Sequence, residues 1–383
     1  MGRALDGVGV LDLTMNLPGP YMTWLLAELG AEVLKVENPQ GGDYARALTL
    51  ESGASPVFEA VNRKKKSLAL NLKEPAGREI FLKLLDRYDV LVEGFRPGVM
   101  TGLGLDYAAV GALRPRVIYV SISGYGQGGP YRLRGGHDLN YLSLAGVIGL
   151  TGTRAGELAV PGIQIADLAA GSLMSMAGLL AALYQREKTG QGQFVDAAMY
   201  DGSFALTVIS FCTMMAGLEK PAPGRTMLTG GYPFYGLYRT KDGRHMSLGA
   251  VEFKFWSNFC LAVGRPDLVA KQFGGPEVIE EVTRVFAGRT QAEWIEFLKD
   301  VDACCEPVLT MEEAVASELA RARGLVDQRA DGRRFVAPPL KLSGSPRPED
   351  APPPRLGQHT REILAGLGYS EGDLTSLSER GVI

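Results

Sequence analysis

The sequence predicts an α/β protein with a Rossmann-like large domain and a smaller α+β domain, and three observations carry that expectation. The N-terminal third alternates short apolar runs with segments of helical periodicity. The run VIYVSIS at 117–123 is strongly β-branched. Beyond residue 230, PFYGLYRTKDGRHMSLGAVE reads as two strands around a Lys-Asp-Gly turn, outside the alternating pattern.

In chain order, VGVLDLT at 8–14 is a strand, Pro18 to Pro20 a turn, and YMTWLLAELG at 21–30 a helix closed by Gly30. EVLKVE at 32–37 completes a β-α-β unit. SLALNL at 67–72 and 90–93 are strand-like, and 74–87 is helical by apolar spacing. Such alternation favours a parallel sheet covered on both faces. After the loop 124–136, a long helix begins at or just after Asp167, and another covers about 202–218. Pro and Gly residues at 221–231 mark a connector. Helices follow at 253–263 and 291–300, then a proline-rich tether at 338–354 and a terminal helical segment at 360–367. The expected domains are 1–200 (large), 201–230 (connector), 231–325 (small) and 326–383 (tether and return to the large domain).

Composition removes several function classes. At 383 residues, a prior of about 150 per domain gives two or three domains. The 40 Lys and Arg against 43 Asp and Glu leave a net charge of -3, with no electrostatic footprint for nucleic acid or an acidic membrane. The apolar stretch 168–184 is interrupted by small residues and shorter than the ~20 residues a bilayer requires, so no membrane span is expected. Four cysteines (Cys212, Cys260, Cys304, Cys305) and three histidines (His137, His245, His359) contain no C-x-x-C or H-x-x-x-H, so no zinc site is expected. The cysteines read as reduced, buried thiols of a cytoplasmic protein. Glycine is the outlier: 49 residues, about 13% against a usual ~7%.

The loop GYGQGGP spells G-x-G-x-x-G through Gly124, Gly126 and Gly129, but Pro130 follows where a dinucleotide site needs a helix. No Walker A sequence and no G-x-S-x-G elbow occur. His137, in GGHDLNY, is either a ligand-facing group or an ordinary loop histidine. Asp167, where a helix starts, is either an N-cap or a base beside free backbone donors suited to an oxyanion. Glu252 ends a strand-like run and is otherwise a solvated carboxylate. The basic run Arg63, Lys64, Lys65, Lys66 reads as a solvated face, while Arg96 lies past a strand at the carboxyl edge of the sheet.

Taken together, GVGVLDLT with PGP, NRKKKSLALNLK, VLVEGFRPGV, SISGYGQGGP, GGHDLNYLSLAG, ALYQREKTGQGQFVDAAMYDG, GGYPFYGLYRTKDG, LGAVE, DACCEPVLT and LGQHTREIL make the chain similar to the CaiB/BaiF family. These are the family III CoA-transferases, and within them the blocks look most like the 2-methylacyl-CoA racemases. The resemblance implies an interlocked homodimer acting on an acyl-CoA, with CoA as part of the substrate and no metal or other cofactor. It implies catalytic roles for His137, Asp167 and Glu252. His137 and Asp167 would flank the α-carbon in a 1,1-proton transfer through an enolate, and Glu252 would hold the imidazole. It also implies CoA contacts from Leu70, Asn71, Leu72, Lys73, Gly94, Phe95, Arg96, Pro97, Gly98, Gly136, Asp138, Leu139, Asn140 and Tyr141. The transferases of the family use an aspartate at the position of Asp167 as a covalent nucleophile, so that residue alone leaves both activities open. Two arginines that hold CoA phosphates in relatives are Asn38 and Gly102 here, for which Lys35, Lys64, Lys65 or Arg96 would have to substitute.

Overall fold

A computed structural model describes residues 2–48 and 55–383. The chain divides into two compact units: 1–145, 163–206 and 327–383 form the first, and 146–162 with 207–326 the second.

The first unit is built on six parallel strands: β1 (Gly9–Leu13), β2 (Glu32–Glu37), β3 (Lys66–Ala69), β4 (Val90–Glu93), β5 (Ile118–Ser123) and β6 (Phe194–Ala198). Their spatial order is 3-2-1-4-5-6, the doubly wound arrangement the alternating sequence predicts. Period-2 alternation splits each inner strand between two cores. Val10, Val90, Val92, Ile118 and Val120 face helices Pro18–Glu28 and Met174–Thr189. Leu11, Leu34, Leu91 and Tyr119 face helix Pro75–Leu84 and the C-terminal helices Thr360–Gly366 and Glu371–Glu379. Proline opens helices Pro18–Glu28 and Pro75–Leu84, where its missing N–H costs nothing. The returning tail also caps the sheet edge. The backbone N–H of Ser67 donates to His359 Nδ1 at 3.1 Å and that of Ala69 to Thr360 Oγ1 at 2.9 Å.

Helix Met174–Thr189 continues from a π-helical segment, so the helical run Ala166–Thr189 has 24 residues, longer and more apolar than the sequence suggests. It meets the length and hydropathy of a membrane span, but its Met176, Leu179 and Ala182 are buried against β5 and its neighbours, as in a sheet-covering helix.

The second unit carries an antiparallel sheet of β7 (Tyr235–Arg239), β8 (His245–Gly249) and β9 (Cys305–Pro307). Helices Phe253–Ala262, Pro276–Phe286 and Gln291–Leu298 pack on it around Trp256, Phe259, Phe286 and Trp294. Residues 146–162, expected with the large domain, group here instead because their hydrogen bonds run to the connector: Arg154 Nε donates to Gly230 O, and Arg225 Nε to Arg154 O at 3.1 Å. The expected connector 201–230 is divided, 201–206 staying with the first unit. A short pair, β10 (Val326–Gln328) and β11 (Arg334–Val336), marks the return to the first unit.

All four cysteines are free. Only Cys260 is buried; Cys212 and Cys304 are exposed, contrary to expectation, because they lie on helix Val208–Met215, none of whose residues is buried, and in the loop just before β9.

Candidate active site

In a 3-2-1-4-5-6 sheet the connections leave β1 and β4 in opposite directions, opening a crevice at their carboxyl ends. Here that crevice is a cavity of about 650 Å³. Thr14 to Asn16 enter it after β1, Gly94 to Pro97 after β4, and Ile122 to Gly124 at the end of β5; His137, Asn140, Tyr141 and Asp167 close it.

A buried ion network fixes the β1 loop. Lys35, on β2 and fully buried, donates to Thr14 O at 2.7 Å and pairs with Asp43 at 2.8 Å. Asp43 in turn accepts from the backbone N–H groups of Asn16 and Ala45, each at 2.9 Å. This holds Asn16 in a left-handed conformation (φ 62°), which asparagine tolerates better than most residues. Lys65, equally buried, bonds Asp12, Thr23, Asn62 and the carbonyl of Pro20. Burial lowers the Lys65 ammonium to about 8, although Asp12 opposes the shift. The basic run is therefore not a solvated face: Arg63 and Lys65 are interior, Lys64 pairs with Glu28 at 2.7 Å, and only Lys66 reaches solvent. Lys35, Lys64 and Lys65 are all engaged inside the fold, which leaves Arg96 alone among the four expected phosphate substitutes.

His137 occupies the N-cap of helix Asp138–Leu144, where its backbone N–H donates to Asn140 Oδ1 at 3.0 Å. Tyr141 donates from its hydroxyl to Gly136 O at 2.6 Å, fixing the backbone just before His137. Burial, reinforced by the charge of Asp167, pushes the Tyr141 hydroxyl up to about 12, so it acts as a donor at neutral pH.

Asp167 is not an N-cap. It lies inside the π-helical turn Ala166–Leu173, a geometry that recurs at functional sites. Close packing supports that turn: Ser172 Oγ bonds Pro18 O and Asp167 O at 2.5 and 2.9 Å. A Cβ on Gly202 would come within 2.7 Å of Ala170 Cβ. Burial raises the Asp167 carboxyl to about 6; the neighbouring carboxylate of Asp138 adds to the shift and His137 opposes it. Two of the backbone donors expected here for an oxyanion are occupied. The Asp167 N–H donates to Asp138 Oδ1 at 3.0 Å and the Leu168 N–H to Gln164 O at 3.0 Å. Asn140 is a neutral donor in the wall beside His137: its Oδ1 is engaged by the His137 N–H, which leaves its NH₂ group to donate.

A second cavity, about 340 Å³, shares Thr14, Met15, Tyr44 and Phe95 with the first, and Asn38 and Leu70 to Lys73 line it. The expected CoA-contact residues thus fall mainly on these two adjoining cavities. Gly98 lines a third, smaller one with Arg96 and Pro97, Asp138 contacts Asp167, and Leu139 is exposed. Of the catalytic candidates, His137 and Asp167 share one cavity. Glu252 belongs to the second unit, exposed at the N-cap of helix Phe253–Ala262. Sequence reasoning missed Arg132 and Arg134, which line the first cavity, and the Tyr125–Tyr141–Tyr200 cluster beneath it. The available signal was the Arg-x-Arg spacing directly before Gly135-Gly136-His137.

Comparison with known proteins agrees with this architecture. The family model for CoA-transferase family III matches residues 5–360. The chain is 36% identical over 386 residues to human alpha-methylacyl-CoA racemase, covering 99% of this chain and 97% of that protein. It is 33% identical to mouse succinyl-CoA:glutarate CoA-transferase, covering 100% and 90%. The crystal structure of a CaiB/BaiF family protein from Brucella suis superposes with a TM-score of 0.81 at 26% identity, over 96% of this chain and 100% of that one.

Proposed function

The chain belongs to CoA-transferase family III, and from that premise we propose that it is an acyl-CoA racemase, epimerising a 2-methylacyl-CoA by proton transfer through an enolate. The observation that carries the proposal is the pairing of His137 with an Asp167 raised to about 6 in one cavity wall. A proton shuttle needs two acid/base groups facing one carbon, and a carboxyl held up by burial serves as one of them where an ordinary surface aspartate does not.

In one direction the Asp167 carboxylate removes the α-proton while the His137 imidazolium delivers a proton to the opposite face. In the other direction the roles exchange. The enolate oxygen takes its hydrogen bond from the Asn140 amide. The acyl-CoA runs along both cavities, its adenosine against Leu70 to Lys73 and its thioester beside Asp167. The chain acts as a homodimer, with the second copy covering helix Val208–Met215, on which Val208, Ile209, Phe211, Met214 and Met215 are exposed.

The test is turnover of a single-epimer 2-methylacyl-CoA in deuterated water. Deuterium should enter the α-carbon as the epimers equilibrate; protium retained during turnover defeats the racemase proposal. The transferase alternative has its own signature: acyl exchange between CoA acceptors, with an Asp167 hydroxamate trapped by hydroxylamine.

A further inference from the structure

We infer that Arg96, Arg132 and Arg134 form an oxyanion subsite in the wall of the cavity that holds His137 and Asp167. The inference rests on the CoA-thioester proposal and adds how the ligand's negative charge is held.

The three guanidinium groups line one cavity, and no ion pair or side-chain hydrogen bond satisfies any of them among the described residues. The basic groups around the neighbouring strands are different: Lys35, Lys65, Arg46 and Lys64 all spend their charge on buried Asp or Glu partners. In a chain with a net charge of -3, three unpaired arginines on a concave wall focus positive potential there.

Two of them are also held in place. Arg96 lies against the backbone of Gly135, where an added Cβ would sit 2.9 Å from its Nη2. The Arg134 guanidinium stacks 4.0 Å over the Tyr131 ring, and Tyr131 packs edge-on against Tyr125, which packs on Tyr141. The loop 131–136 is thus tied to the segment that presents His137. A planar guanidinium matches phosphate and carboxylate with paired hydrogen bonds, so the ligand chemistry is an oxyanion. Two sources supply one: the diphosphate of CoA, and a carboxylate on the acyl group. Among the described residues the adjoining cavity carries Lys73 as its only cation, so the nucleotide's phosphates are not satisfied there.

The experiment is calorimetric titration of wild type and Arg132→Gln/Arg134→Gln with CoA, and with the pantetheine thioesters of glutarate and valerate. Both side chains are exposed on a loop outside any helix or strand, so the variant should keep the wild-type melting temperature. If the subsite takes the diphosphate, CoA affinity falls roughly ten- to hundredfold and the pantetheine thioesters are unaffected. If it takes a carboxylate, CoA affinity is unchanged and the preference for the glutaryl over the valeryl thioester disappears. Arg132→Lys/Arg134→Lys, which keeps the charge and loses the fork, should recover only part of either effect. Unchanged affinity for all three ligands overturns the inference and leaves the CoA reading standing. Failure of wild type to bind CoA overturns both.

Discussion

Asp138→Asn isolates the electrostatic control of Asp167. The side-chain amide oxygen introduced by the substitution can still accept the Asp167 N–H now bonded at 3.0 Å, so the variant removes a negative charge while preserving the π-turn contact. Burial is the larger cause of the raised Asp167 pKa and stays; the repulsion from Asp138 is the second cause and goes. The variant's pKa therefore falls between the ordinary 3.8 and about 6. With a pKa of about 6, roughly one tenth of Asp167 is ionised at pH 5 and about nine tenths at pH 7. Exchange of the α-proton in deuterated buffer, measured from pH 4.5 to 8, should give wild type an acid limb centred near pH 6. In Asp138→Asn that limb should move down, so that the rate at pH 5 rises from about a tenth of the plateau to several tenths. An acid limb that stays in place, or moves up, refutes this account of how Asp167 is tuned.

The same shift makes a stability statement for Asp167→Asn. A carboxyl whose folded pKa is raised stabilises the fold fully below its unfolded value of about 3.8 and loses that contribution as pH rises through about 6. The variant should therefore melt higher than wild type at pH 8, show no such gain at pH 4, and lose α-proton exchange at every pH. Asn140→Asp keeps the oxygen that accepts the His137 N–H and removes the NH₂ donor, so kcat for exchange should drop by roughly 10²-fold with the melting temperature little changed. Lys35→Met strips the counter-ion from buried Asp43 and releases Thr14; urea unfolding should show a loss of about 3–5 kcal/mol. Gly77→Ala would place a Cβ 2.1 Å from Asn71 O and push on the loop 70–73; CoA affinity and stability should fall together, the latter by about 1–3 kcal/mol.

Apolar periodicity is a local signal, and what it made legible was local. Strand β4 matches its predicted bounds, β1, β2 and β5 differ by a residue or less at most ends, and the hairpin of β7 and β8 falls around Lys241-Asp242-Gly243 as expected. Strand β6 escaped notice because FVDAA is short, interrupted by Asp196 and ends in two alanines; it is a strand by pairing with β5, a partner more than seventy residues away. The basic run misled for a related reason. Four consecutive cations look solvated until Asp12, Glu28 and Asp327 are brought against them from distant segments. His137 and Asp167 are candidates only through the ordered sequence blocks, since neither carries a local mark that would separate a catalytic group from a loop histidine or a helix cap. Arg132 and Arg134 show no periodicity, and their Arg-x-Arg spacing before Gly135-Gly136-His137 acquires a meaning once the cavity is seen.

Asp167 sits half-buried in the π-turn, and its neighbours there bear on its charge. An α-helix starting at Ile165 would leave early N–H groups free, and a carboxylate beside free donors is held in its charged form. Here the Asp167 N–H is taken by Asp138, itself a carboxylate, while the Leu168 N–H makes the ordinary i→i−4 helix bond to Gln164 O. The like charge of Asp138 acts in the same direction as burial, toward a carboxyl raised to about 6. The cost is a carboxylate the fold does not stabilise. That cost is carried by interactions that never touch the ligand: the hydroxyl of Ser172 on Pro18, and the close approach of Gly202 to Ala170. A Gly202→Ala variant should thus disturb the acid limb of exchange through the π-turn, with no contact to the substrate itself.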